Sequence, residues 1–178
     1  LEDYDTTLRL NPQSATAFAF RAQTRVLMED PSLALADLDR AVALANPGRT
    51  APLFFARAQV HETLNDPEAA VRDYGEAVAV APDHAEAWRS RAKLHHEAKR
   101  YPEAIEDYSR AIELVPDDTD SLYARARFNL GNALLRSGRR EEGQRQLALY
   151  RKLEEQERDL ASMRNTLLTS PDKAEIYH

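Results

Sequence analysis

Two stretches of this sequence hold the side chains best suited to chemistry. The run His95-His96-Glu97 sets two imidazoles beside a carboxylate, the donor types of a metal site or a general base. The stretch AIEDYSRAIELVP, residues 104 to 116, gathers Glu106, Asp107 and Glu113 among small apolar residues and stops at a proline. Neither set converges. Neighbouring residues on a helix point about 100° apart, so His95 and His96 cannot easily chelate one ion. His61 occupies the corresponding place one unit earlier, which makes packing the better reading of His95. No glycine-rich phosphate loop, Ser-His-Asp order or paired-carboxylate site stands out. Cysteine is absent, which removes disulfides, thiolate metal sites and thiol nucleophiles and leaves the compartment undecided. The expectation is therefore no catalytic residue, no metal and no cofactor.

The elements that carry these residues are helices. Only five glycines, many alanines and no sustained Val/Ile/Thr alternation make an all-α chain the default. At 178 residues with 43% hydrophobic residues the chain is long enough to bury a core. A formal charge of −6, with no basic stripe, argues against a nucleic-acid partner, because phosphate binding needs a concentrated positive surface. No apolar run approaches the length of a membrane span.

An internal repeat organises the helices. LALADLDRAVALANP from Leu33, AAVRDYGEAVAVAP from Ala69 and EAIEDYSRAIELVP from Glu103 superpose, aligning Ala34, Ala70 and Ala104, then Asp37, Asp73 and Asp107, then Ala41, Ala77 and Ala111. Leu38, Tyr74 and Tyr108 share one place. Upstream, Phe18, Phe54 and Trp88 share another, each followed three residues later by Arg-Ala. Each unit is a helix pair with alanines at the closest crossings, where larger side chains would hold the backbones apart. Asp30-Pro31 and Asp66-Pro67 read as an N-cap followed by proline in the first turn, and Asp83 with Glu86 as an acidic capping box.

This pattern resembles the tetratricopeptide repeat, with closing prolines at Pro12, Pro82 and Pro116 and Pro47 displaced by one residue beside a two-residue insertion. The resemblance implies a right-handed superhelical array of antiparallel helix pairs. It divides the chain into 1–12, the second helix of a truncated repeat; repeats at 13–48, 49–82 and 83–116; an irregular repeat at 117–150 with a lengthened first helix; a helical extension at 151–170; and the start of a further repeat at 171–178. The chain then reads as a piece of a longer array. The lengthened helix is expected over roughly Thr119 to Ser137, with Gly138 as its C-cap. Gly143 and Tyr150 stand where the earlier units have alanines, so packing there must differ. Further on, Leu149, Leu153, Leu160, Met163 and Leu167 form a seam at three-four spacing, interrupted by Gln156. The seam is expected to cover the last repeat or the next one; the other reading is a dimerising coiled coil.

The repeated arginine stands where the family more often has leucine, and in a packed interface it needs a partner. The expected pairing is a ladder between units, Asp3 with Arg21, Asp37 with Arg57, Asp73 with Arg91 and Asp107 with Arg125. Pairing within a unit, Arg21 with Asp37 and so on, is the alternative. The family places the ligand in a concave groove lined by first helices. The groove positions are Ala19, Gln23 and Val26; Phe55, Gln59 and Glu62; Arg89, Lys93 and His96; and Phe128, Asn132 and Leu135. The groove should grade from neutral and apolar to basic, with apolar area near Phe55 and an acidic ligand group recruited by Arg89 and Lys93. One subgroup of the family grips chaperone C-termini with a Lys and an Asn four residues apart. The pairs Ala19/Gln23, Phe55/Gln59, Arg89/Lys93 and Phe128/Asn132 do not match it, so no chaperone-tail binding is expected. The resemblance implies a non-catalytic protein-interaction scaffold that binds a peptide or partner-protein segment. The alternative is a regulatory or substrate-presenting arm of a larger enzyme whose catalytic domain lies outside this chain. Self-association through the array ends or the 140–168 helix is a further partner expectation.

Overall fold

The computed structural model describes residues 1–115 and 121–169. Among them nine α-helices follow one another: α1 (Glu2–Leu10), α2 (Ala15–Leu27), α3 (Pro31–Leu44), α4 (Ala51–Thr63), α5 (Pro67–Val80), α6 (Ala85–Glu97), α7 (Tyr101–Glu113), α8 (Ser121–Arg136) and α9 (Arg140–Thr169). The described residues contain no strand. Helices pair as α2–α3, α4–α5, α6–α7 and α8–α9, and each pair packs on the next, so the chain is an all-α superhelical array of antiparallel hairpins. The expected start of a repeat at 171–178, the closing Pro116 and the expected helix start at Thr119 lie outside the described residues.

Local sequence sets the helix ends. The carboxylates of Asp30 and Asp66 accept the amide protons of Leu33 and Ala69 at 3.3 and 3.0 Å, each with proline at the first helical position. Ser14 caps α2 by accepting from Ala17 N at 3.2 Å. The cap of α6 differs from the expected Asp83 box: His84 is the N-cap, and its Nδ1 accepts from Ala87 N at 3.3 Å. The chain enters α6 one residue later than the Asp83–Glu86 spacing suggests. The two-residue insertion becomes a 3-10 turn at Pro47–Arg49, capped by Asn46 and tied by Thr50 Oγ1 donating to the Pro47 carbonyl at 2.7 Å. The turns inside the hairpins each hold one residue in left-handed backbone: Glu29, Asn65, Lys99 and Gly138, at φ 60°, 59°, 60° and 88°.

The core repeats with the hairpins. Ala22, Ala34 and Ala41 in the first hairpin, Ala58, Ala70 and Ala77 in the second, and Ala92, Ala104 and Ala111 in the third are all essentially without solvent exposure. Leu38, Tyr74 and Tyr108 fill the space beside them. The buried apolar residues fall into separate clusters shared by consecutive helices, the arrangement of a repeat protein in which each unit contacts only its neighbours. In the fourth hairpin the crossing is made by Gly131 and Gly143. A Cβ on Gly143 would lie 2.8 Å from the Gly131 carbonyl oxygen, and one on Gly131 would lie 2.8 Å from Leu147 Cγ, so only glycine fits this approach. Helix α9 then continues without a break to Thr169. Leu149, Leu160 and Met163 are 45%, 59% and 63% exposed, so the seam does not cover the last hairpin, one of the two places expected for it.

Candidate functional site

The recurring arginines and aspartates meet within each hairpin, not between hairpins. Arg21 donates through Nε and Nη2 to both oxygens of Asp37 at 2.8 and 2.6 Å. Arg57 holds Asp73 in the same bidentate way at 2.7 and 2.6 Å, and Arg91 holds Asp107 at 2.7 Å through both nitrogens. This overturns the expected ladder between units. Asp37, Asp73 and Asp107 lie on the buried face of the second helix, turned toward the alanine crossing and the first helix of their own pair. Both oxygens of Asp107 are taken by Arg91, and Arg125 is exposed. Rungs between units do exist, but they use the acid two residues further on, about 200° around the helix. Arg21 Nη1 donates to Asp5 at 2.7 Å and Arg57 Nη1 to Asp39 at 2.8 Å. For Arg91 of the third hairpin that place is Gly75 on α5, and Arg91 Nη1 sits 3.4 Å from its Cβ position.

Each arginine also lies over the leading aromatic of its helix, Arg21 on Phe18 at 5.5 Å, Arg57 on Phe54 at 5.4 Å and Arg91 on Trp88 at 4.8 Å. A second basic group completes each cluster: Arg25 Nη1 donates to Asp37 at 2.7 Å, and His61 and His95 place Nε2 3.7 and 3.8 Å from Asp73 and Asp107. The bonds to Asp37 and Asp73 raise the pKa of Arg21 and Arg57. Burial lowers the pKa of His95 against the opposing pull of Asp107, which favours the neutral ring. A buried carboxylate fully claimed by a guanidinium is no general base, and the described residues hold no cluster of three candidate metal ligands. These clusters support the hairpins.

The first helices present a different surface. Between α2 and α4 lies an open cleft of about 520 Å³. Gln23 and Gln59 line it together with Ala19 and Val26, as the groove positions require, and Phe20, Leu27, Leu53 and Val60 add apolar wall that the groove positions did not include. Those four project from the sides of α2 and α4, and their role depends on the distance between two helices, which spacing along one helix does not reveal. Phe20 also stacks on Tyr4 of α1 at 6.2 Å.

The remaining groove residues are more heavily engaged. Phe55 is half-buried, 5.5 Å from the Tyr74 ring and 4.8 Å from His84, so the open apolar surface lies on the side of α4 that faces α2 and not at Phe55 itself. Lys93 donates to Glu62 at 3.1 Å and lies 3.9 Å from Glu97, and Arg89 lies 3.7 Å from Glu86. The expected basic end of the groove is thus laced with carboxylates. Glu62 also accepts from Tyr74 Oη at 2.6 Å, and burial followed by this bond pushes the Tyr74 pKa well up. Tyr108 is pushed up to about 12 by burial. His96 is half-buried, edge-on to Tyr101 at 5.7 Å and Tyr108 at 6.3 Å, and burial lowers its pKa. Phe128 is exposed and packs on Tyr150 at 5.2 Å, and Asn132 is half-buried one turn further along α8. The structure therefore brings Gln23 and Gln59 together on one cleft and Arg89, Lys93 and His96 together on α6, with Phe55 between them as part of the core.

Comparison with known proteins agrees with this architecture. Two family models of the tetratricopeptide repeat match, over residues 55–119 and 95–167, together more than half of the chain. The chain belongs to the tetratricopeptide-repeat family. No curated protein matches it. Among solved structures it is similar to MamA, with 20% identity over 88% of this chain and 87% of that one and a TM-score of 0.77. It is also similar to YrrB, described as a TPR protein with an unusual peptide-binding site, with 21% identity over 84% of this chain and 74% of that one and a TM-score of 0.71. A MamA RS-1 double mutant aligns at 16% identity over 86% and 83% with a TM-score of 0.74. These likenesses show the fold, a right-handed α-α superhelix. Among the described residues no helix is long and apolar enough to cross a membrane.

Proposed function

We propose that this chain is a non-catalytic interaction scaffold that holds an extended segment of a partner protein along the face formed by α2, α4, α6 and α8. The observation that carries the reading is the α2–α4 cleft: an open, mainly apolar hollow whose polar groups are the amides of Gln23 and Gln59 and the hydroxyl of Thr63. An apolar side chain of the ligand fills it, and the amides bond the ligand backbone in either direction. Further along, Phe55, His96, Phe128 and Asn132 complete the contact surface, and Arg89 and Lys93 meet an acidic group. That group must displace Glu62 or Glu97 from Lys93, so it adds selectivity more than affinity. In this reading the repeats span 13–48, 49–82, 83–116 and 117–150, between a lone helix at 1–12 and the extension at 151–170. A peptide-binding site in the similar YrrB supports the assignment of ligand class.

The test is a selection of random displayed peptides on the folded chain, followed by titration of the winners against two variants. Val26→Asp, which puts a charge into the cleft wall, is expected to weaken binding by about tenfold or more. Arg89→Glu with Lys93→Glu should act mainly on peptides with an acidic residue. Winners that bind Val26→Asp as tightly as the parent chain would place the ligand elsewhere and overturn the reading.

A further inference from the structure

The exposed seam of α9 is not built to receive a further hairpin. Tyr101 at the start of α7 corresponds to Arg140 at the start of α9, so Ile105 and Ile112, which pack on α8, correspond to Gln144 and Arg151. Both of these are exposed and polar. The apolar residues of α9 lie on another face: Leu149, Leu160 and Met163 are open to solvent and Leu153 is half-buried. With Gln156 they keep an unbroken alternation of four and three residues, which is the seam of a coiled coil with Leu153 and Leu160 at a and Leu149, Gln156 and Met163 at d.

The flanking charges say what occupies that seam. Lys152 and Asp159 fall at g and Glu157 and Arg164 at e, all exposed and in no ion pair among the described residues. When two copies of the helix lie parallel and in register, each g residue faces the e residue five positions on in the other copy. Lys152 then faces Glu157 and Asp159 faces Arg164, on both sides of the pair, so all four contacts are attractive. In an antiparallel pair centred on the same stretch, e faces e and g faces g, which sets Glu157 against Glu157 and Asp159 against Asp159. The parallel pair also stacks Gln156 on Gln156, where the two amides bond each other and penalise slipped registers.

We propose that α9 from Leu149 onward pairs with the same helix of a second copy as a parallel, in-register two-stranded coiled coil. The seam is short, but its helix is already nucleated: the first turns of α9 pack on α8 through Gly143 and Tyr150, so association does not bear the cost of starting the helix. The site is separate from the α2–α4 cleft, and a dimer would present two such clefts on one axis, which raises the avidity for a partner carrying two copies of a segment.

Sedimentation equilibrium of the whole chain, from micromolar to millimolar, tests this. The mass is expected to rise from one copy to two. Leu160→Glu with Met163→Glu should hold it at one copy with the thermal melt unchanged, since both residues are exposed. Lys152→Glu should weaken the dimer about tenfold, and adding Glu157→Lys to it should restore the parent affinity. In a chain without cysteine, Gln156→Cys should form an interchain disulfide on mild oxidation, whereas Ala161→Cys, on the outer face, should not. A single-copy mass at every concentration would overturn the proposal. So would a dimer indifferent to Leu160→Glu with Met163→Glu, and a charge exchange that fails to restore association would rule out the parallel register.

Discussion

In α2–α3, α4–α5 and α6–α7 an arginine stacked on an aromatic ring grips a buried aspartate across the crossing, while in α8–α9 the corresponding places hold Leu130, Leu134 and Gln146 above two glycines. The same hairpin is closed in two ways. In the first three, alanines set the helix separation and the gap is filled by a charge pair that needs both members, with Arg25, His61 or His95 as a further support. In the fourth, glycines bring the helices closer and leucines fill the gap, and Gln146 Oε1 is left buried without a hydrogen-bond partner among the described residues. A charge pair fixes register, because the bidentate geometry is lost when the helices slide. The glycine crossing reaches the same end through steric fit.

The largest effect expected from this comparison follows from removing one member of a buried pair. Asp73→Ala takes away the buried bidentate partner of Arg57 and leaves it only the exposed Asp39, and should cost about 3 kcal/mol in denaturant unfolding, whereas Gln146→Ala should cost well under that. Equal losses at the two sites would erase the distinction. The triple change Arg91→Leu, His95→Leu and Asp107→Gln, which moves the fourth hairpin's residues into the third, should cost less than Asp107→Ala alone.

Steric fit is tested next. Gly143→Ala drives a methyl group into the Gly131 carbonyl and Leu135 and should cost about 2 kcal/mol, although alanine is the better helix former. At the matching place in the third hairpin the native residue is already alanine, and Ala104→Gly should cost about 1 kcal/mol through propensity and lost packing. Gain of stability from Gly143→Ala would show that the close crossing is not needed.

A smaller, favourable effect is expected at Gly75. Gly75→Asp supplies the third hairpin with the carboxylate that Asp5 and Asp39 give to the first two, and it removes a glycine from the middle of α5. Together these should add about 1 kcal/mol, and the added part should shrink in high salt if the new rung to Arg91 forms.

The smallest effect concerns acidity. Burial holds the folded-state pKa of His95 below its ordinary 6.5, so the unfolded chain takes up a proton first as the pH drops. The stability that His95 contributes is complete above about pH 6.5 and is lost as pH falls through the lowered value. Melting temperature should therefore decline across this window, and His95→Leu, which copies Leu134 of the fourth hairpin, should flatten the decline. His96, lowered for the same reason, contributes in the same direction.

Much of this architecture is legible in the sequence because the repeat writes it three times. The alanine crossings, the proline-backed caps of α3 and α5 and the all-helical array follow from residues that recur at fixed places. The partner of each aspartate is not legible for the same reason: in a periodic chain Asp73 stands 16 residues after Arg57 in its own unit and 18 before Arg91 in the next, and only side-chain direction separates the two. Arg125 misled because the fourth unit's register slips by five residues, so that Leu130, not Arg125, stands at the crossing. Of the groove, the positions on α2 and α4 come from the family resemblance, but the cleft between them is a property of two helices and their separation. The apolar seam of α9 was visible, whereas its exposure required the position of α8.

Recognition at the α2–α4 cleft can be tested at the level of single residues. Amide chemical shifts of the isotopically labelled chain, followed during titration with a display-selected peptide, test it most directly. The shifts should change at saturating peptide around Ala19, Gln23, Val26, Leu53 and Gln59 and fade toward α8. Changes confined to α3, α5 and α7, with the cleft amides unmoved, would contradict it.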